Sequence, residues 1–301
     1  MAAHRQAVFT ANGESQPNVT VRRARPEDAE RCGRICYEAF KTISEEHGFP
    51  PDFSAPDIPM AVLSTMFSDP AFYAVVAEVD GRIAGSNCLD ERGDIAGVGP
   101  ITIDPKIQDR GIGRRLMQAV LERAAERKAP GVRLVQAAFH NRSLSLYAKL
   151  GFAAREPLST MLGPALNQRI EGCEVRHAED ADVEACKQLC YWVHGHHREG
   201  ELVRAIQRGT AVVVERSGRI SGYATGLGFF DHAVGGSNRD IQALIAAAGQ
   251  FVGPGILVPT RNAELFRWCL EQGLRVVQPM TLMTMGLYNE PAGAWLPSIL
   301  Y

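Results

Sequence analysis

The residues best suited to chemistry gather where a helical pattern begins. Lys106-Ile107-Gln108-Asp109-Arg110-Gly111-Ile112-Gly113-Arg114-Arg115 brings two glycines and four cations into one short stretch. Ile101 to Asp104 reads as a strand stopped by Pro105, and Leu116, Val120, Leu121 and Ala124 then fall on one side of a helix. The first backbone N–H groups of a helix lack intrahelical partners and lie at the positive end of its dipole, which suits a phosphate or pyrophosphate. Gly111 and Gly113 would let such an anion approach the main chain, and four cations at this end are unfavourable by about 0.3 to 1 kcal/mol each unless an anion is present. The stretch therefore predicts an anion site, with an ordinary glycine loop carrying exposed arginines as the alternative. Two other phosphate motifs do not fit: Leu116 stands where Gly-x-Gly-x-x-Gly needs its third glycine, and the Gly-Lys-Ser/Thr of a Walker loop is missing.

Cysteine and histidine offer other chemistry. Cys32-x-x-x-Cys36-Tyr37 and Cys186-x-x-x-Cys190-Tyr191 each follow an acidic helix start, so a spacing of four puts both thiols on one helical face among apolar neighbours. That is a core stripe, because zinc needs four converging ligands. His194, His196 and His197 cluster without a fourth ligand nearby, so no metal is expected. Seven cysteines, an odd number without secretory context, read as reduced thiols.

The cysteine pairs are also markers of duplication. Val21, Arg22, Asp28, Cys32, Cys36 and Tyr37 recur as Val175, Arg176, Asp182, Cys186, Cys190 and Tyr191, each 154 positions on. The Ala74 hairpin AVVAEVDGRIAG recurs as AVVVERSGRISG at an offset of 137, and Gly151-Phe152 recurs as Gly273-Leu274 at 122. Three matches in one order describe two related halves. Each half reads strand, helix, variable connection, hairpin, helix, strand, helix, strand, a mixed α/β pattern.

The bulk properties frame this reading. A chain of 301 residues, 46% hydrophobic, is long enough for two domains. A net charge of −2 offers no field for nucleic acid or an anionic membrane, and no stretch approaches the roughly 18 apolar residues of a membrane span. The opening residues lack an apolar signal core, so the sequence-based expectation is a soluble, cytoplasmic protein with a loose tail over 1–18.

Within the first half, Gln108-x-x-Gly111-x-Gly113 after a strand, then Asn141 followed by Tyr147 and Gly151-Phe152, resembles the GCN5-related N-acetyltransferase (GNAT) superfamily. The resemblance implies two tandem GNAT-like modules, each a mixed, mostly antiparallel sheet flanked by helices, with splayed parallel central strands in the first. It implies that the anion is the pyrophosphate of acetyl-CoA. Gln108, Asp109, Arg110, Gly111, Ile112, Gly113 and Arg114 would hold the pyrophosphate. Ile101, Thr102 and Ile103 would pair with the pantetheine arm across from Val132 to Phe139, a form of strand addition. Asn141 would hold a pantetheine amide, or cap its helix, and a backbone N–H near Ile103 would face the developing oxyanion. Tyr147, protonated at neutral pH, would give its proton to the leaving thiolate; a core tyrosine between Leu144 and Leu150 is the alternative. The general base stays open among Asp90, Glu91, Asp94, His140 and water.

The first half has 17 residues more than the second between its first helix and hairpin, including HGFPPDFSAPDIPMAV, whose prolines suit a surface loop. Phe49, Phe53 and Met60 in it, with Asp90 and Glu91, are the expected acceptor contacts. The second half is shorter by 15 residues where the first carries Gln-x-x-Gly-x-Gly, and Cys269 stands opposite Tyr147, so loss of acyl transfer there is expected. Its Gly235-Gly236 reads as a plain turn and cap, with a second anion site as the alternative. The expected organisation is a tail over 1–18, a catalytic module over 19–165, a degenerate module over 173–286, and a segment over 287–301 packed on the body with Trp295 as anchor. The expected activity is acetyl transfer from acetyl-CoA directly to an amine of a small molecule or peptide, by a monomer or homodimer. A non-catalytic acyl-CoA sensor is the alternative.

Overall fold

The computed structural model describes residues 18–108 and 110–301; the tail expected over 1–18, apart from Asn18, and Asp109 lie outside the described residues. The first half comprises β1 (Val19–Arg23), α1 (Ala29–Glu46), α2 (Asp57–Ser68), β2 (Phe72–Val79), β3 (Arg82–Asp90), β4 (Ala96–Val98), β5 (Thr102–Ile103), α3 (Ile112–Glu126), β6 (Gly131–Ala137), α4 (Asn141–Lys149) and β7 (Ala153–Leu162). The second comprises β8 (Glu174–His177), α5 (Val183–His194), α6 (Glu199–Gln207), β9 (Val212–Arg216), β10 (Arg219–Ala224), β11 (Ala233–Gly235), α7 (Asn238–Ala247), β12 (Ile256–Pro259), α8 (Ala263–Glu271), β13 (Arg275–Gly286) and β14 (Ala294–Leu296).

The duplication is visible in side-chain contacts. Arg22 grips Asp28 through both terminal nitrogens, at 2.7 and 2.9 Å, and Glu78 through Nε at 2.8 Å. Arg176 repeats this on Asp182, at 2.7 and 2.8 Å, and on Glu215 at 2.8 Å. Each cluster ties the first strand of its half to the first helix and to the hairpin, so the offsets of 154 and 137 meet in one arginine. The hairpins also match: Asp80-Gly81 and Ser217-Gly218 both have positive φ, as a two-residue turn between right-twisted strands requires. Cys32, Cys36, Cys186 and Cys190 are buried free thiols on α1 and α5, in the expected core stripes.

Two sheets result. One runs β1-β2-β3-β4-β6-β13-β7-β12, with β5 attached to β3, and the other runs β14-β11-β10-β9-β8. Within these sheets the pairing is antiparallel except for β4 against β6. The large sheet is built by exchange between the halves. Strand β6 pairs with β13 from Ala137↔Met280 to Gly131↔Gly286, while β7 pairs with β12 from Met161↔Ile256 to Leu158↔Pro259. Strands β7 and β13 thus each pair with a strand of the other half, and the two lie side by side in the large sheet. Ala138 N donates to Pro279 O at 3.0 Å and Thr260 N to Pro157 O at 2.9 Å, a pair of contacts related by the offset of 122. The units 19–165 and 173–286 therefore interlock rather than lie end to end. The buried faces of β13 (Met280, Leu282, Met283) go into cores shared with the first half.

Residues 287–301 pack back on the body. β14 joins β11, Trp295 is buried with its ring edge-on to His194 at 5.4 Å, and Tyr301 is buried. The proline-rich insert is only partly a loop. From Asp57 it becomes α2, with Pro59 in the first turn, where its missing N–H removes no helical bond.

Candidate active site

The cleft starts where β4 and β6 part. They pair in parallel only at Ala96↔Val132 and Gly97↔Arg133; the chain then swings to β3, where β5 pairs at Ile103↔Gly85 and Thr102↔Ser86. The expected splay is present, with adjustments: the parallel pairing belongs to Ala96–Val98, Ile101 lies outside the two-residue β5, and β6 ends at Ala137. The edge of β5 away from β3 faces the gap. Gln136, on β6, lines the cavity there, and both polar atoms of its buried amide lack a partner among the described residues. A buried amide left unpaired costs about 1 to 3 kcal/mol, so the gap is suited to a ligand with its own amides or carbonyls.

Helix α3 points its amino terminus at the same gap. Gly111 at its cap has φ 75°, the left-handed region, and no side chain caps the helix. A Cβ on Gly111 would meet nothing within 4 Å, so the approach is open. Gly113 has a different role: a Cβ there would come 3.0 Å from Ile103 Cδ1 and 3.4 Å from Leu146 Cδ2, so glycine allows the helix to sit this close to β5 and α4. Leu116, Met117, Val120 and Ala124 bury the opposite face in the first core. Met117 takes the place expected of the half-buried Leu121. Arg110 and Arg114 are exposed beside the open end, whereas Arg115 turns to donate to Val19 O at 2.7 Å.

A groove of about 250 Å³ along Gly111, Ile112, Gly113 and Arg114 opens into a cavity of about 530 Å³. Ile101, Gln108, His140, Arg142, Ser143 and Tyr147 border both, so the anion end and the larger cavity form one path. Tyr147 is 6% exposed, packs edge-on to Phe152 at 6.2 Å, and lies at this junction. Burial pushes its phenol up to about 12, against a hydrogen bond from Ser143 that lowers it. The phenol is a proton donor across the neutral range. Ser143 Oγ lies 2.6 Å from His140 Nδ1, and burial, then the charges of Arg142 and His47, pull that imidazole down to about 4. His140, Ser143 and Tyr147 form a continuous polar run on α4 that sequence reasoning did not assemble, although 140, 143 and 147 have helical spacing. Asn141 is the first residue of α4 rather than its cap, and its side chain lines the larger cavity.

The carboxylates proposed beside the cleft are elsewhere. Asp90 is buried but held by Arg92 Nε at 2.9 Å, and Glu91 is bound by Arg123 at 2.9 Å and Arg127 at 2.6 Å on the far side of α3. Asp94 accepts from His197 N at 2.9 Å. None of the three lines the cavity, which corrects the assignment of Asp90 and Glu91 to acceptor binding: arginines adjacent in space claim them. Phe53 does line it, but Phe49 stacks on Phe139 at 4.3 Å outside the lining, and Met60 packs against Gly33 of α1. Asp52, which sequence reasoning did not single out, lines the cavity and accepts from Gln278 Nε2 of β13 at 2.6 Å. Phe229, Phe230, Met280, Ile299 and Leu300 complete the wall, so the second half roofs the first half's cleft. Among the described residues no group of three or more His, Cys, Asp or Glu is placed to hold a metal ion, and no helix is long and apolar enough to cross a membrane.

Residues 37–152, which include both motifs, match the profile of the acetyltransferase (GNAT) family. This segment is therefore similar to the GNAT acetyltransferases, and the fold of the chain is that of a tandem GNAT protein. Over 84 residues it is 36% identical to the mycothiol acetyltransferase of Clavibacter sepedonicus, a match spanning 28% of this chain and 28% of that protein. In fold it is similar to a protein of Pyrococcus horikoshii proposed to be an acetyltransferase, with TM-score 0.71 at 18% identity over 98% of both chains. It is also similar to a GCN5-related N-acetyltransferase from Sphaerobacter thermophilus, with TM-score 0.61 at 18% identity over 90% of this chain and 96% of that one. A tandem GNAT protein from the clavulanic acid biosynthesis pathway aligns with TM-score 0.55 at 13% identity, over 89% of this chain and 98% of that one.

Proposed function

We propose that the first half transfers an acetyl group from acetyl-CoA directly to the amine of an acceptor bound under the second half. The observation that carries this reading is the single path from the uncapped, glycine-opened end of α3 to the phenol of Tyr147. Acetyl-CoA would supply an activated acyl thioester, with its diphosphate at Gly111 to Arg114 beside Gln108 and its pantetheine amides in the gap between β5 and β6, near Gln136 and Asn141. The groove's cations and backbone N–H groups would fix the diphosphate, and the apolar walls would exclude water from the junction. Tyr147 would give the phenolic proton to the departing sulfur, with Ser143 and His140 orienting its hydroxyl. A proton donor of pKa about 12 does not lose its proton at working pH, and it returns to the protonated form once water restores the proton.

Burial of Tyr147 favours a second reading, an acyl-CoA sensor in which the phenol serves packing alone. Release of free thiol from acetyl-CoA on a broad amine panel separates the two. The enzymatic reading expects amine-dependent thiol release that falls sharply in Gln108→Ala and Gly111→Val. Acetyl-CoA binding without thiol release on any amine favours the sensor.

A further inference from the structure

The acceptor cavity is lined by two carboxylates, the exposed Glu46 and the half-buried Asp52, and the surroundings of Asp52 differ from those of the fully buried acids. Asp28, Asp90, Asp182, Asp240 and Glu156 each face an arginine. Asp52 faces an amide: Gln278 donates to it at 2.6 Å, and the described residues supply it with no cation. The cavity that it lines carries Phe40, Phe53, Phe229, Phe230, Met280 and Leu300 from both halves as one wall, with Gln136, His140 and Asn141 on a polar side. A carboxylate left without a counter-charge among aromatic and aliphatic side chains is unfavourable in the empty cavity, and a bound cation relieves that cost. The hydrogen bond from Gln278 holds the carboxylate in place, and aromatic faces add attraction for a cation near them.

We infer that the acceptor is a primary amine carried on an apolar body, such as an arylalkyl or alkyl amine, that binds as its ammonium on Asp52 and gives a proton to that carboxylate before the neutral nitrogen attacks the thioester. The inference rests on the acetyltransferase reading above and narrows its acceptor. Specificity follows from both parts of the pocket. An aminosugar would set hydroxyls against the phenylalanines and Met280, and a polyamine lacks the apolar body that those side chains would cover. Gln278 is a positioning residue. It belongs to the exchanged strand β13, so the second half sets the selectivity of the first.

The decisive measurement is ligand-induced thermal shift without acetyl-CoA, using 2-phenylethylamine, its neutral isostere 2-phenylethanol, glucosamine and spermidine. Wild-type protein should be stabilised by 2-phenylethylamine at concentrations about 30-fold below those needed for the other three, the discrimination expected of a buried charge contact. Asp52→Asn should erase the preference for the amine over the alcohol while leaving the alcohol's own effect unchanged. Gln278→Ala should raise KM for the amine more than it lowers kcat. Equal or tighter binding of glucosamine or spermidine, no response to 2-phenylethylamine, or an amine preference that survives Asp52→Asn each overturns the inference. A parallel melt with acetyl-CoA alone keeps the two claims apart. Its shift in Asp52→Asn shows that the variant is folded, and its absence in wild type defeats the acetyltransferase reading while the amine arm still decides this one.

Discussion

The amino termini of α3 and α7 hold equivalent places in the two halves and satisfy their positive ends in opposite ways. At α3 the cap is a left-handed glycine with open space before it, no side chain reaches back, and arginines stand around the end. At α7 a carboxylate from within the helix fills that place. Asp240, 1% exposed, accepts from Ser221 Oγ at 2.6 Å, Ser237 Oγ at 2.7 Å and Arg216 Nη1 at 3.3 Å. A Cβ on Gly235 or Gly222 would come 3.0 Å from Asp240 Cβ, so the chain is closed around it. One helix end is left open and the other carries its own anion. The second half has no counterpart of the glycine loop, and Cys269 is buried where the first half has Tyr147. What the second half keeps is reach, through β13 and the 287–301 segment, into the neighbouring cleft.

The sharpest way to break this contrast is to fill the open end. Gly111→Asp would set a carboxylate before the α3 amides, where a Cβ meets nothing within 4 Å, and acetyl-CoA affinity by calorimetry should fall at least ~100-fold, about 2.7 kcal/mol, with the circular dichroism unchanged. Removing the internal anion should act on stability instead. Asp240→Ala strands Arg216 and two serines, and urea unfolding should show a loss of roughly 2 to 4 kcal/mol with acetyl-CoA affinity retained.

Acid should weaken the second half through its histidines. Burial is the first cause that lowers each of His194, His196 and His232, to about 3 for His196 and about 4 for His232. Their folded pKa values lie below the unfolded value of about 6.5, so the unfolded chain binds protons that the native state refuses. Their contribution is complete above pH 6.5 and is lost as pH falls toward 4, roughly 2 kcal/mol each for His196 and His232 by pH 4.5. Thermal melts from pH 7.5 to 4.5 should show this fall, reduced in His196→Gln. The smallest effect belongs to Gly236→Ala: its Cβ would meet Ser221 O at 3.6 Å and Asp240 Oδ2 at 3.7 Å, ordinary contacts. Stability should change by under about 1 kcal/mol and acetyl-CoA binding not at all. A titration giving two acetyl-CoA per chain rather than one would remove the contrast between the helices.

Much of this was legible in the chain itself. The paired cysteines marked equivalent helices because buried positions on one face repeat at four, and Gly111 and Gly113 marked a helix start where backbone must be reachable. The strand exchange was not legible. β7 and β13 descend from one strand, so each has the pattern to fit either slot, and only their packing together decides. Asp90 and Glu91 were misread because nearness along the chain to the cofactor strand says nothing of Arg92, Arg123 and Arg127, which hold them. Asp52 was hidden for a related reason. A single acid among prolines looks like surface until Gln278, 226 residues later, reaches it.

Acyl transfer as proposed depends on the phenol at the junction of groove and cavity. Steady-state kinetics of Tyr147→Phe, paired with its acetyl-CoA dissociation constant, tests that most directly. The account predicts kcat lower by about 10²- to 10⁴-fold with the dissociation constant within about threefold of wild type. A variant that turns over amines as fast as the parent would contradict it.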